Sequence, residues 1–187
     1  MGIEASYRRV TPLEWDALIS HPETADAFFG HDLLDLADAD LGEALFSRLQ
    51  ALEASGRYLD LDKDWHALHF LLTGESSLLG VTRTPPPLGN IVMGGTDTPF
   101  DCTYGKVRVL TPNEVKDVAD ALGSIPVEGL EARLDPVAFN EARIYPNPMP
   151  GGWDRVELES LLEIYPQLVR FFQNAADQGD LILLSFD

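Results

Sequence analysis

A single cysteine, Cys102, among 187 residues excludes an intramolecular disulfide framework. Long apolar runs are also missing: the longest, such as Leu181 to Leu184, are strand-sized, which argues against a membrane span. The stretch Met1 to Val10 has no apolar secretory segment. Gly2 is followed by Ser6, but neither a polybasic patch nor a second anchor accompanies them for acylation. These absences lead us to expect a cytoplasmic protein with no membrane partner. Basic residues are scarce, 13 against 31 acidic ones, for a net charge of -18. Such a field repels nucleic-acid phosphates unless a local basic patch reverses it. Arg8-Arg9 and Lys106-x-Arg108 are the nearest candidates, and both read more simply as polar positions on strands. No nucleic-acid partner is expected, whereas a basic protein suits the field. The oligomeric state is not legible.

What is present suits one domain over residues 1–187: 45% of the residues are hydrophobic, enough for an ordinary core. Two stretches share a local design, Val10-Thr11-Pro12-x-Glu14 and Leu110-Thr111-Pro112-x-Glu114. Each reads as a strand running into a helix. Thr is the N-cap, Pro fills the first helical position, where a missing N–H costs nothing, and Glu closes a capping box. The first helix stops at Ser20-His21-Pro22, and Glu23 to Phe29 predicts a short one. Leu41, Leu45, Leu49 and Leu52 predict another, which Gly56 ends. Asp32, Asp35, Asp38 and Asp40 lie between these helices but lack the central Gly and closing Glu of a calcium loop, so they read as a solvated link.

Further on, Asn90 to Met93 reads as a strand entering Gly94-Gly95-Thr96, a turn that matches neither a dinucleotide fingerprint nor a P-loop. No cofactor is expected. Helices are predicted at Asn113 to Leu122, Pro126 to Leu134, Asp135 to Ala142 and Val156 to Gln178, the last broken or kinked near Tyr165 by Pro166. The prolines and glycines between Ile144 and Trp153 forbid regular structure, and Leu181 to Phe186 closes the chain as a strand. The expected class is α+β: a small mixed sheet of four or five short strands packed with six to eight helices, because βαβ alternation is absent through the middle.

Chemistry concentrates in Leu59 to Gly74, LDLDKDWHALHFLLTG. On a wheel at about 100° per residue, Leu61, Leu68 and Leu72 share an apolar side with Trp65, while Asp62, His66 and His69 form a polar edge beside it. Three readings compete. His66 and His69, i and i+3, can converge on a transition metal with Asp62 or Asp60 as a third ligand. Alternatively, a carboxylate-oriented histidine acts as a general base, with Cys102 as a candidate nucleophile, giving a catalytic set of Asp62, His66, His69 and Cys102. In the third reading the role is structural: Asp60, Asp62 and Asp64 cap the helix, and the histidines bond backbone from the edge of the core. The third is preferred.

The run Asp60 to Gly74, the Gly94-Gly95-Thr96 turn, Tyr104-Gly105 through Leu110-Thr111-Pro112-x-Glu114-Val115, Asp135-Pro136 to Ile144-Tyr145-Pro146 and the final Gly179-Asp180 strand resemble the YfbM-like bacterial family of unknown function, DUF family 1877. The order matches over nearly the whole chain. The resemblance implies a cytoplasmic α+β domain without assigned activity, so no catalytic residue carries over. The chain departs from the family pattern between Gly30 and Gly56, where a helical insertion around residues 31–56 is expected, and at Pro166.

The functional expectation is a noncatalytic interaction domain whose acidic surface meets a basic protein, an immunity-like role being one version. The alternative is a small hydrolase or transferase, metal-dependent in one form, using Asp62, His66 and His69.

Overall fold

In the stretch ASYRRV, successive side chains alternate between the two faces of strand β1 (Ala5–Val10). A computed structural model describes residues 2–29, 47, 50–79, 82–147 and 151–187. Strands β2 (Tyr58–Asp60), β3 (Thr96–Cys102), β4 (Gly105–Leu110) and β5 (Leu181–Phe186) complete one sheet of order β2-β1-β5-β4-β3. Every pairing is antiparallel, where the sequence suggests a mixed sheet. The reason lies in the helices. The chain leaves β4 along α4 (Pro112–Gly123) and returns along α7 (Arg155–Gln178), and the two pack side by side, Tyr165 of one donating to the Leu122 carbonyl of the other. It re-enters the sheet at the end it left, Leu110 opposite Ile182, so β5 must oppose β4. The edges are blunt: β2 is three residues long, and β3 carries Pro99 and an irregularity between Asp97 and Asp101.

Both capping boxes form as the sequence predicts. The Thr11 hydroxyl accepts from the Glu14 N–H at the start of α1 (Pro12–Ser20), and Glu14 accepts from the Thr11 N–H. Thr111 and Glu114 repeat this at α4. Helices α1 and α2 (Ala25–Phe29) cover one face of the sheet, burying Val10, Leu18, Phe100, Val107 and Leu183. The larger core lies on the other face, beneath α3 (Trp65–Thr73), α4, α5 (Val127–Glu131), α6 (Pro136–Glu141) and α7. That makes seven α-helices with described bounds.

Several expectations need correction. Asn90 to Met93 is no strand: Asn90 ends a 3-10 segment, Leu88–Asn90, a buried turn over Ile91 to Met93 follows, and the strand starts at Thr96. Here the Gly95 N–H is taken by the Asn90 side chain, while the Met93 and Gly94 carbonyls are taken by Arg108. Arg9 and Arg108 are strand positions, as the sequence suggests. Both are buried, Arg9 against Asp180 at 2.8 Å, and Arg108 over the Phe186 ring at 5.1 Å. Helix α7 runs unbroken through Pro166, whose position is exposed. The predicted Leu41 to Leu52 helix, the acidic link before it and the insertion around 31–56 lie largely outside the described residues, although residues 50–54 are helical and run up to Gly56 at φ 69°.

A buried histidine pair as candidate functional site

Helix α3 is apolar on nearly every side, with Trp65, Ala67, Leu68, Leu71 and Leu72 all buried. Gly74 ends it in the left-handed conformation, φ 74°, which a residue without Cβ adopts freely, and its N–H closes on the Phe70 carbonyl. The helix starts without the expected aspartate cap. Asp62 sits at φ 46° in a 3-10 segment, Asp62–Asp64; its N–H goes to Asp60 Oδ1 at 2.7 Å, and Asp64 makes no side-chain cap.

That backbone break decides which candidate residues meet. Asp62 is exposed and faces Lys63 Nζ at 3.9 Å; it is not brought to the histidines. His66 and His69 are 1% and 0% exposed. The His66 ring stacks on Trp65 with centroids 5.1 Å apart, and its Nδ1 accepts the Tyr145 N–H at 3.0 Å. In the neutral ring the proton therefore sits on Nε2. The Ser76 and Ser77 backbone lies close enough to favour protonation, but among the described residues no hydrogen bond of normal geometry reaches Nε2. Burial outweighs this and lowers the His66 pKa.

Among the described residues, His69 has no hydrogen-bond partner on either ring nitrogen. Burial pushes its pKa down to about 4, with His66 acting in the same direction and Glu75 opposing. Its Nε2 stands 3.7 Å from Glu75 Oε2, an ion pair only when the ring is protonated. Glu75, which the sequence reading misses, organises the loop after Gly74. It accepts from Ser77 Oγ at 2.6 Å, Arg83 N at 2.7 Å, Thr82 Oγ1 at 3.0 Å, Thr84 N at 2.9 Å and Thr84 Oγ1 at 2.6 Å. Desolvation raises its pKa, but these donors together win and hold the carboxyl well below the usual range. The available signal was a Glu directly after the helix-ending Gly, with four Ser or Thr residues within ten positions.

Cys102 lies across the sheet, half-buried against the α1 and α2 cluster, and burial pushes its thiol pKa up. It is thus separated from the histidines and lacks the depressed pKa of a reactive thiolate. Among the described residues, no group of three His, Cys, Asp or Glu side chains is arranged to hold a metal ion. Glu75, with five donors already bound, has little acceptor capacity left for one. Tyr145 and Trp153 pin their irregular loop: the Tyr145 hydroxyl accepts from Ile3 N, and Trp153 Nε1 donates to the Ile144 carbonyl.

Architecture and site together define an α+β domain that encloses a histidine pair beneath an antiparallel sheet. The chain belongs to the family described as Domain of unknown function (DUF1877), which matches residues 1–185. It is similar in structure to a protein of unknown function, YfbM from Escherichia coli, with a TM-score of 0.66 and 21% identity. The similarity covers 98% of this chain and 99% of that one, and at this identity it speaks for the fold alone. No curated protein matches the chain. Among the described residues, no helix is long and apolar enough to cross a membrane.

Proposed function

We propose that this chain is a noncatalytic protein-interaction domain that recognises a basic partner through its acidic surface. The observation that carries this reading is the separation of its polar groups. The histidines that would serve chemistry are enclosed in the core, whereas acids such as Asp117, Asp120, Glu128, Glu131, Glu159 and Glu163 stand exposed on the helices. A general base must reach the proton it abstracts, and rings at 0–1% exposure do not present themselves to a solvent-borne substrate. Surface acids, by contrast, steer an oppositely charged protein at long range and are read out by salt. An immunity-like role, in which the partner is a basic toxin, is one version. The test is affinity capture on the immobilised chain from its native host at physiological salt. Recovery of a basic protein that higher salt releases supports the reading, and recovery of none counts against it.

One observation favours a second reading, a small hydrolase or transferase. Three buried imidazole nitrogens, His66 Nε2 and both of His69, have no hydrogen-bond partner among the described residues, and His69 Nε2 stands 3.7 Å from the Glu75 carboxylate. Unpaired buried polar groups cost about 1–3 kcal/mol each and mark sites kept for a reason. In this reading the working set is His66, His69 and Glu75 in place of Asp62, reached when the loop after Gly74 opens. Its test is His69→Gln against a panel of ester and phosphoester substrates. Turnover by the wild type that the variant loses would establish this reading.

A further inference from the structure

Residues 75–79, which follow α3, lie over both buried rings and are tied mainly to their own neighbours. Ser76 and Ser77 bring their backbone to His66, and the Glu75 carboxylate stands 3.7 Å from His69 Nε2. On the outer side Ser76 and Leu78 are exposed. One chain thickness therefore separates the histidines from water. Among the described residues, 75–79 and 82–84 make no backbone–backbone hydrogen bond. Their ties are local: Glu75 N donates to Thr73 Oγ1 at 3.0 Å, and the Glu75 carboxylate gathers Ser77, Thr82, Arg83 and Thr84. Leu79, partly buried against the core, is the apolar anchor, and Gly74 at φ 74° stands at the base. An irregular segment with few bonds to the rest of the fold opens at low cost. The rings beneath it have the opposite balance, because enclosure strips three of their nitrogens of water and no described protein group replaces it. Opening would return that water and restore the ordinary basicity of the rings. The charged or titratable groups that act on His69 are Glu75 on the segment and His66 on α3; Tyr145 meets His66 through its N–H.

We infer that residues 75–79 form a proton-linked strap, which opens as a local unit to expose His66 and His69 and opens more readily when the pair takes up protons. The inference goes beyond both functional readings, since a strap can open over a pair that catalyses nothing. Where the hydrolase or transferase reading holds, this is how its site is reached. The sign follows from linkage. Closed, the rings stay neutral; open, they titrate near the ordinary histidine value of about 6.5, so acid below that value favours the open strap. Glu75 pulls the other way by attracting a charged ring, and burial outweighs it.

The test follows labelling of the full chain by diethylpyrocarbonate at neutral pH, read by peptide mass spectrometry. His21, with a side chain 67% exposed, is the internal reference. Glu75→Gln, its fold checked by circular dichroism, is expected to label at His66 and His69 about tenfold faster with His21 unchanged. Labelling of the folded variant at the wild-type rate overturns the inference. The wild type supplies a second measure that needs no variant: native-state hydrogen exchange at the Arg83 and Thr84 amides, which donate to Glu75, in urea below the unfolding transition. A urea slope far below that of global unfolding supports a local opening, and a slope equal to the global one overturns it. From about pH 7 to about pH 5 the opening constant at those amides, corrected for intrinsic exchange, is expected to rise about tenfold, and markedly less in His69→Phe. An equal rise in both chains removes the proton linkage and overturns the inference. None of these measurements reads turnover, so the inference and the hydrolase or transferase reading fail separately.

Discussion

Helices α3 and α4 lie on the same face of the sheet and treat their polar residues in opposite ways. Of the nine residues of α3 seven are buried, both histidines included, whereas α4 buries only Val115, Val118, Ala119 and Leu122 of its twelve. Lys116, Asp117 and Asp120 point to water, and Lys116 and Asp120 pair one turn apart at 2.7 Å. A polar group on α4 keeps its hydration and is nearly neutral to stability; one on α3 has lost it and must find a partner or remain unpaired. The histidines of α3 therefore belong to the architecture of the core, and the charged residues of α4 stay in water.

The contrast can be broken most forcefully at Trp65, which is fully buried and donates from Nε1 to the Ile3 carbonyl at 2.9 Å. Trp65→Ala is expected to lose about 4 kcal/mol in denaturant unfolding, and a loss below about 1 kcal/mol would deny α3 its place in the core. His69 provides the next largest effect. Its pKa falls from 6.5 in an unfolded chain to about 4 in the fold, so the unfolded state binds the proton more tightly. Stability is then full above pH 6.5 and declines as pH falls toward 4, by up to about 3 kcal/mol. His69→Phe should flatten that window. An NMR titration showing His69 charged at pH 7 would contradict the burial argument.

Glu75→Gln comes third. The carboxylate accepts five donors, and the amide can serve fewer and adds its own N–H groups, so about 2 kcal/mol is expected to go. Faster hydrogen exchange at the Arg83 and Thr84 amides would be the local sign. On α4, Glu114→Ala opens one capping box and should cost about 1 kcal/mol. Asp117→Asn, on the exposed side, should stay within about 0.5 kcal/mol by thermal melting. A larger change there would mean that the α4 surface is engaged in structure.

The residues explain how much of this was legible. Local rules held where chemistry was local: Thr11 with Glu14 and Thr111 with Glu114 cap helices through atoms three residues apart. Trp65, Leu68 and Leu72 face the core as their helical spacing predicts, and Leu61, ahead of the helix, is buried too. The wheel failed at Asp62, because φ 46° there breaks the helical phase before Trp65 and carries the carboxylate away. The burial of Arg9 and Arg108 was not legible, because alternation along a strand tells which residues share a face but not that helices cover it. Glu75 was missed for a related reason. Its donors come from an irregular loop with no periodicity to read, and only the fold brings them to one carboxylate.

The adjacent strands β1 and β5 come from opposite ends of the described chain, with Ser6 beside Ser185, 179 positions apart. β1 with β2 on one side and β4 with β3 on the other meet only through β5. The pairing of β1 must therefore wait for residues 181–186, and closing so long a separation should slow folding. Removing those six residues would leave two hairpin-sized fragments, each with an open edge where its neighbour had been.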